Sequence, residues 1–286
     1  MQKGKQRGSA WSIKLAMFIY SVLGYKFLYY LLYPITFFYF LVAKNAKEPL
    51  RIYYENLGLE FSNKIYYTHL RVFAICLVDR FVSKLNPENY TFKYDTIEIP
   101  RKILESGTVL VYSHFGGWAS SSSGAHVKNK INIVMQEAML DGIRQLEKSM
   151  GMKSQLNIID LNQGSIAVSV QIANALMNEE VVTIMADRAS NKKAEMEVLF
   201  LDKKAQFNKN PFQIAYKTDK PVLAYFIILS GMQKYKVEYI KINIDTSKNE
   251  EIAVREALTQ YVEKLEDVVR RYPNQWFNFY DFWEKK

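Results

Sequence analysis

The chain has 286 residues, 49% of them hydrophobic and 14% aromatic, enough for one large α/β domain or two small ones with a sizeable core. Its single cysteine, Cys76, excludes an intramolecular disulfide and a cysteine-ligated zinc site, and fits a reducing compartment. The net charge of +9 gathers at the front, where eight basic residues and one acid, Glu48, surround an apolar stretch within residues 1–51; this argues against nucleic acid and for anionic lipid head groups.

Leu15–Ala43 reads LAMFIYSVLGYKFLYYLLYPITFFYFLVA. It is too long and too aromatic for a secretory signal, and no small-residue cleavage site precedes the charged residues after Ala43. The uncharged run Phe27–Ala43 has 17 residues, the lower limit for a span, with Pro34 in its middle and Lys26 just upstream. Both flanks are basic, and the positive-inside rule keeps both on the cytoplasmic side. A single span would put one flank outside, whereas a helix–break–helix dip or an interfacial helix satisfies both. Residues 1–50 are expected to form a membrane-associating helical segment that inserts without crossing, and residues 51–286 one α/β domain.

Residues 52–90 have helical spacing, with Ser62 or Asn63 as the cap, His69 as a packing or surface residue and Pro87 as the stop. From about Thr96 the pattern changes. TVLVYSH (108–114), INIVMQ (131–136), LNIID (156–160) and VVTIMAD (181–187) are short apolar runs of buried-strand type. Between the later three lie EAMLDGIRQLEKSMG (137–151) and GSIAVSVQIANALMN (164–178), both helical by spacing. This alternation predicts an α/β fold with a mostly parallel central sheet flanked by helices. VLFLDKKAQF (198–207) reads as a hairpin, PVLAYFIILS (221–230) and YKVEYIKINI (235–244) as strands, and residues 249–271 as a solvated, mixed-charge helix.

A phosphate loop, a dinucleotide glycine fingerprint and a G-x-S-x-G elbow are all absent. His114 and His126 lack the spacing and companion carboxylate of a zinc site, so no metal is expected, and His126 reads as solvent-exposed. Three stretches carry polar residues worth chemistry. SHFGGW holds His114, Gly116, Gly117 and Trp118 at one strand end; MADR holds Asp187 and Arg188 at another; YPNQWFNFYDFW closes the chain. Ligands of open α/β sheets bind outside the carboxyl ends of the strands.

Taken in order, SHFGGW, MADR, FLDKKAQFNKNPFQIAYKTDKPV and PNQWFNFYDFW resemble the late (secondary) acyltransferases of lipid A biosynthesis, within the lysophospholipid acyltransferase-like superfamily. SHFGGW is similar to the block around that family's catalytic histidine, MADR to its acidic block, and PNQWFNFYDFW to its P-x-Q-W-F ending. The front of the chain resembles the membrane-binding start of divergent members. Two positions depart from the pattern. Ala119 stands where the family places Asp or Glu after the histidine, and Asn210 stands where it usually has glycine before Pro211.

The resemblance implies acyl transfer from an acyl-thioester to a lipid hydroxyl, with His114 as general base. The carboxylate that would hold the imidazole is missing at 119. Asp187 is the first candidate to replace it, Glu137 the second, and a hydroxyl or carbonyl in ASSSS the third. Gly116 and Gly117 would let the thioester approach and offer an oxyanion site, with Trp118 beside them, and Arg188 would suit a phosphate. No cofactor is implied beyond the acyl-thioester co-substrate. The expected activity moves a fatty acyl chain from acyl carrier protein to a hydroxyl of a lipid A precursor, at the cytoplasmic face of a bacterial inner membrane. Other glycolipid, aminolipid or polyene acceptors, a catalytically dead lipid-binding relative, and a serine hydrolase are the competing readings.

Overall fold

The computed structural model describes residues 10–123, 129–136 and 156–284. The expected helix 137–151, Glu137 and His126 lie outside the described residues. Seven α-helices are described: α1 (Ala10–Val42), α2 (Lys47–Asn56), α3 (Asn63–Leu85), α4 (Glu98–Leu104), α5 (Ser165–Met177), α6 (Asn210–Thr218) and α7 (Glu250–Arg271). The strands are β1 (Thr91–Tyr94), β2 (Thr108–Tyr112), β3 (Ile131–Met135), β4 (Leu156–Asp160), β5 (Val181–Met185), β6 (Glu195–Phe200), β7 (Lys203–Asn208), β8 (Val222–Gly231) and β9 (Lys234–Ile242).

Seven strands form one sheet in the order β1-β9-β8-β2-β5-β3-β4. Every neighbouring pair is parallel except the β8–β9 hairpin. The apolar runs are continuous because both sheet faces are covered. Val109 and Val111 of β2 face a core shared with α5, α6 and α7, while Leu110 and Tyr112 face one shared with α1, α3 and α4. β6 and β7 form a separate antiparallel pair. Their two-residue turn, Leu201–Asp202, has φ of 52° and 61°, the left-handed geometry that suits a tight hairpin.

The expected helical stretch 52–90 holds the second half of α2 and the whole of α3, separated by a turn. α2 ends before Gly58, whose φ is 73°, and α3 restarts at Ser62, whose Oγ accepts the Ile65 N–H at 3.3 Å. α3 stops at Leu85, just before Pro87. β1 follows, a short edge strand with alternating exposure that periodicity over a longer window conceals. The composition boundary between residues 50 and 51 falls inside α2. The helix expected to be solvated, α7, is solvated on one side only. Val254, Leu258, Tyr261, Leu265 and Val269 form a buried stripe at helical spacing. Asn249 caps its start, accepting the Glu251 N–H at 2.9 Å, and Arg270 and Arg271 sit at its negative end.

α1 is broken. Gly24 adopts φ 75°, ψ 173°, a conformation essentially restricted to glycine, so the break falls there rather than at Pro34. The helix lies antiparallel along α3. Tyr25 Oη donates to Asp79 Oδ1 at 2.6 Å, Tyr67 Oη to the Tyr33 carbonyl at 3.1 Å, and Tyr66 Oη to the Ala43 carbonyl at 2.5 Å. Arg71 stacks its guanidinium 3.6 Å above the Tyr33 ring. Met17, Tyr25, Leu28 and Leu32 are buried against the domain, whereas Phe18, Val22, Phe27, Tyr30, Phe38 and Leu41 are exposed. An exposed apolar patch of this kind marks a partner surface, and α1 is long and apolar enough by length and composition to cross a membrane.

Candidate active site

The parallel register of β2 and β5 builds the site. Tyr112 pairs with Met185 at the strand ends, and the Ala186 N–H still donates to the Tyr112 carbonyl at 2.9 Å. Two residues past each end, His114 and Asp187 meet. His114 Nδ1 lies 2.9 Å from Asp187 Oδ1, and the His114 backbone N–H donates to Asp187 Oδ2 at 2.8 Å. Asp187 is fully buried and the His114 side chain is 26% exposed. A carboxylate only accepts, so the proton of a neutral imidazole sits on Nδ1 and the Nε2 lone pair is free for a substrate.

Two more donors hold the carboxylate. The Trp276 indole N–H reaches Asp187 Oδ2 at 3.2 Å, and Asn278 Nδ2 reaches it at 3.4 Å. Burial pushes the Asp187 pKa up. The facing His114 charge and hydrogen bond, with the Arg188 charge, more than offset this and bring it down to about 2. Asp187 is therefore ionised at neutral pH.

The C-terminal segment is strapped across the histidine loop. The Phe277 N–H donates to the His114 carbonyl and the Gly116 N–H to the Gln275 carbonyl, both at 2.7 Å. Gln275 continues the pairing with its side chain: Nε2 donates to the Leu229 carbonyl at 2.9 Å, and Oε1 accepts the Leu229 N–H at 2.8 Å. These contacts correct the expected role of the glycine pair. The Gly116 N–H is engaged by Gln275 and the Gly117 N–H by the Ile227 carbonyl at 2.8 Å, so neither is left to form an oxyanion site. The glycines serve close packing of the loop on β8 and β9.

Among the described residues, Asp187 is at hydrogen-bond distance from the imidazole. Glu137 lies outside the described residues, and the buried Ser120 hydroxyl has no hydrogen-bond partner. Trp118 stands edge-on to the His114 ring, centroids 5.9 Å apart, with Arg80 of α3 on it. Arg188 turns toward the C-terminal segment: Nε and Nη2 donate to Asn278 Oδ1 at 2.8 and 2.6 Å, and Nη2 to the Phe277 carbonyl at 3.2 Å. His69 is buried among Tyr53, Tyr54, Phe277 and Phe279, with Nδ1 3.2 Å from Tyr54 Oη. Burial pushes its pKa down to about 3, against a smaller pull from the Trp276 backbone, so it packs as a neutral ring.

In the sequence, Gln275 and Trp276 stood out only as part of the P-x-Q-W-F ending, and Asn278 was not singled out. Their signal was present: amides interleaved with an aromatic run such as NQWFNFYDFW are drawn into its packing, and buried amides require partners. Among the described residues no cluster of His, Cys, Asp or Glu could hold a metal ion.

No curated protein matches the chain. Among solved structures it is similar to the 1-acyl-sn-glycerophosphate (LPA) acyltransferase PlsC of Thermotoga maritima, at 12% identity and a TM-score of 0.39, over 84% of this chain and 97% of that one. The model of the bacterial lipid A biosynthesis acyltransferases matches residues 8–285, nearly end to end. The chain belongs to that family and is an acyltransferase.

Proposed function

We propose that this acyltransferase moves a fatty acyl chain from the thioester of acyl carrier protein to a hydroxyl of a lipid A precursor, at the cytoplasmic face of a bacterial inner membrane. The observation that carries the reading is the 2.9 Å contact between His114 Nδ1 and the buried Asp187 carboxylate. His114 Nε2 takes the hydroxyl proton while the oxygen attacks the thioester carbonyl. Asp187 stabilises the imidazolium that results. The imidazolium then returns its proton to the departing thiolate, leaving an ester and a free thiol. Asp187 thus does from β5 what the residue at 119 does in relatives that carry an acid there. Acyl carrier protein as donor fits the basic balance of the chain.

Two measurements test this. Mass spectrometry of lipid A from cells with and without the gene should show one acyl chain lost in the deletion strain. An unchanged lipid A alongside a change in another lipid would move the acceptor to that lipid. With purified protein, His114→Ala should abolish transfer and Asp187→Asn should lower turnover by about two to four orders of magnitude, both with folding retained. Wild-type turnover in either variant would remove that residue from the chemistry.

A further inference from the structure

Asp187 and Arg188 are adjacent in sequence, opposite in charge and packed at the same site, yet no ion pair joins them. The Asn278 side chain stands between. It is 3% exposed, and it is held by a cation on one side and an anion on the other. Arg188 can only donate, so it fixes the carboxamide oxygen toward itself. Asp187 only accepts, so the amide nitrogen faces it. A carboxamide bonds both charges at once, with separate atoms for each, without carrying charge.

The carboxylate oxygens are thereby divided. Oδ2 takes the His114 N–H, the Trp276 indole N–H and the Asn278 amide, while Oδ1 is left to the imidazole. Were Arg188 to pair directly with Asp187, much of the carboxylate's pull on a histidine proton would be cancelled.

We propose that Asn278 is a positioning residue: its carboxamide holds the Arg188 guanidinium off the Asp187 carboxylate, so that the carboxylate charge acts on the His114 imidazole. This rests on the reading of His114 and Asp187 as a base and its partner. The charged or titratable groups facing the pair come from several elements. His114 follows β2, Arg188 follows β5, Tyr261 lies on α7, Tyr280 lies in the C-terminal segment, and Arg80 of α3 lies beyond Trp118. Burial raises the pKa of both tyrosines, so neither carries charge near neutrality. Among the described residues, Arg188 is the cation in direct contact with the amide.

The test is a titration of the His114 ring nitrogens by NMR in the full-length protein in detergent, which needs no substrate. The chain has three histidines, so the spectrum is assignable: His69 stays neutral above its pKa of about 3, and His126→Gln removes the other. In Asn278→Ser the His114 midpoint should fall by about one pH unit, because Arg188 now takes the carboxylate. Adding Arg188→Gln to that variant should return the midpoint to the wild-type value or above. Asn278→Asp keeps the size, neutralises Arg188 and adds a second carboxylate, so it should raise the midpoint instead. The proposal is overturned if Asn278→Ser leaves the midpoint in place, if its fall persists without Arg188, or if Asn278→Asp fails to raise it. Asp187→Asn is run in parallel. An unmoved His114 midpoint there removes the base–partner reading itself and this proposal with it. A fall there, with none in Asn278→Ser, removes this proposal alone.

Discussion

A Cβ on Gly116 would lie 2.0 Å from the Ile227 carbonyl oxygen, and one on Gly117 would lie 2.3 Å from the Tyr235 ring. Gly116 also sits at φ 53°. The Ile227 carbonyl cannot withdraw without breaking its bond to the Gly117 N–H. Gly116→Ala should therefore cost at least about 2 kcal/mol, from the clash together with the left-handed backbone. A substitution to alanine keeps the N–H, so loss of stability and of activity in step would mark a packing role. Thermal unfolding of the purified variant checks this, and unchanged stability would count against it.

Two carboxylates join elements in opposite ways. Asp79 of α3 is fully buried and accepts from three phenols: Tyr25 of α1 at 2.6 Å, Tyr90 before β1 at 2.8 Å, and Tyr235 of β9. Burial raises its pKa against the pull of those bonds. Since Tyr235 also abuts Gly117, one carboxylate fastens the membrane-facing helix and the wall of the histidine loop. Asp79→Leu would orphan three hydroxyls, at about 1–3 kcal/mol for each that stays buried. It should lower the melting temperature and speed hydrogen exchange in the Tyr25–Leu32 stretch of α1. Unaltered protection there would mean that Asp79 does not hold the helix. Glu238 of β9 instead faces cations of α7. Arg271 donates to both its oxygens at 2.8 and 2.7 Å, and Lys264 Nζ lies at 3.0 Å. The Arg271 hydrogen bonds, with those of Lys264, overcome desolvation and hold its pKa down at about 2. A depressed carboxylate stabilises the fold above its unfolded pKa of about 4.3, and that contribution is lost as pH falls toward 2. Glu238→Gln should thus be less stable than wild type by about 1–2 kcal/mol at pH 7, discounted for the half-exposed cations, with the gap closing toward pH 2. A gap that is the same at both ends of the range would rule out charge pairing as its source.

At the scale of the molecule, the break at Gly24 divides α1 into arms of about 21 and 27 Å, both short of a hydrocarbon core about 30 Å thick. One face of α1 is fastened to α3, and α3 is packed on the sheet. Driving α1 across a bilayer would carry Asp79, Arg71 and Arg80 of α3 with it, at high desolvation cost. A helix pair laid in the interface avoids this and leaves Phe18, Val22, Phe27 and Tyr30 for lipid. Cysteines introduced as Lys5→Cys and Lys47→Cys should both be labelled from the cytoplasmic side, with the buried native Cys76 silent. A periplasmic label at either position would mean that the chain crosses.

The sequence by itself determined the elements that repeat a local rule. The apolar runs of β2, β3, β4 and β5, the β6–β7 hairpin and the aromatic front all follow from periodicity and turn chemistry, and capping narrowed the start of α3 to Ser62 or Asn63. It also carried His114, the Asp187–Arg188 pair and the aromatic ending, since each keeps its residues within a few positions. The break at Gly24 was visible only as a glycine, because φ depends on what the two arms pack against. Only the tertiary structure decided the contacts between segments. β2 and β5 are separated by β3, β4 and α5 along the chain, and their adjacency and register come from covering both faces of one sheet. That register, and not any local pattern, brings an aspartate of β5 to the histidine beyond β2, where Ala119 offers no acid. The same packing folds Gln275, Trp276 and Asn278 back over the loop, because buried amides and an indole N–H must find partners and the nearest ones are the carbonyls of β8 and the Asp187 carboxylate.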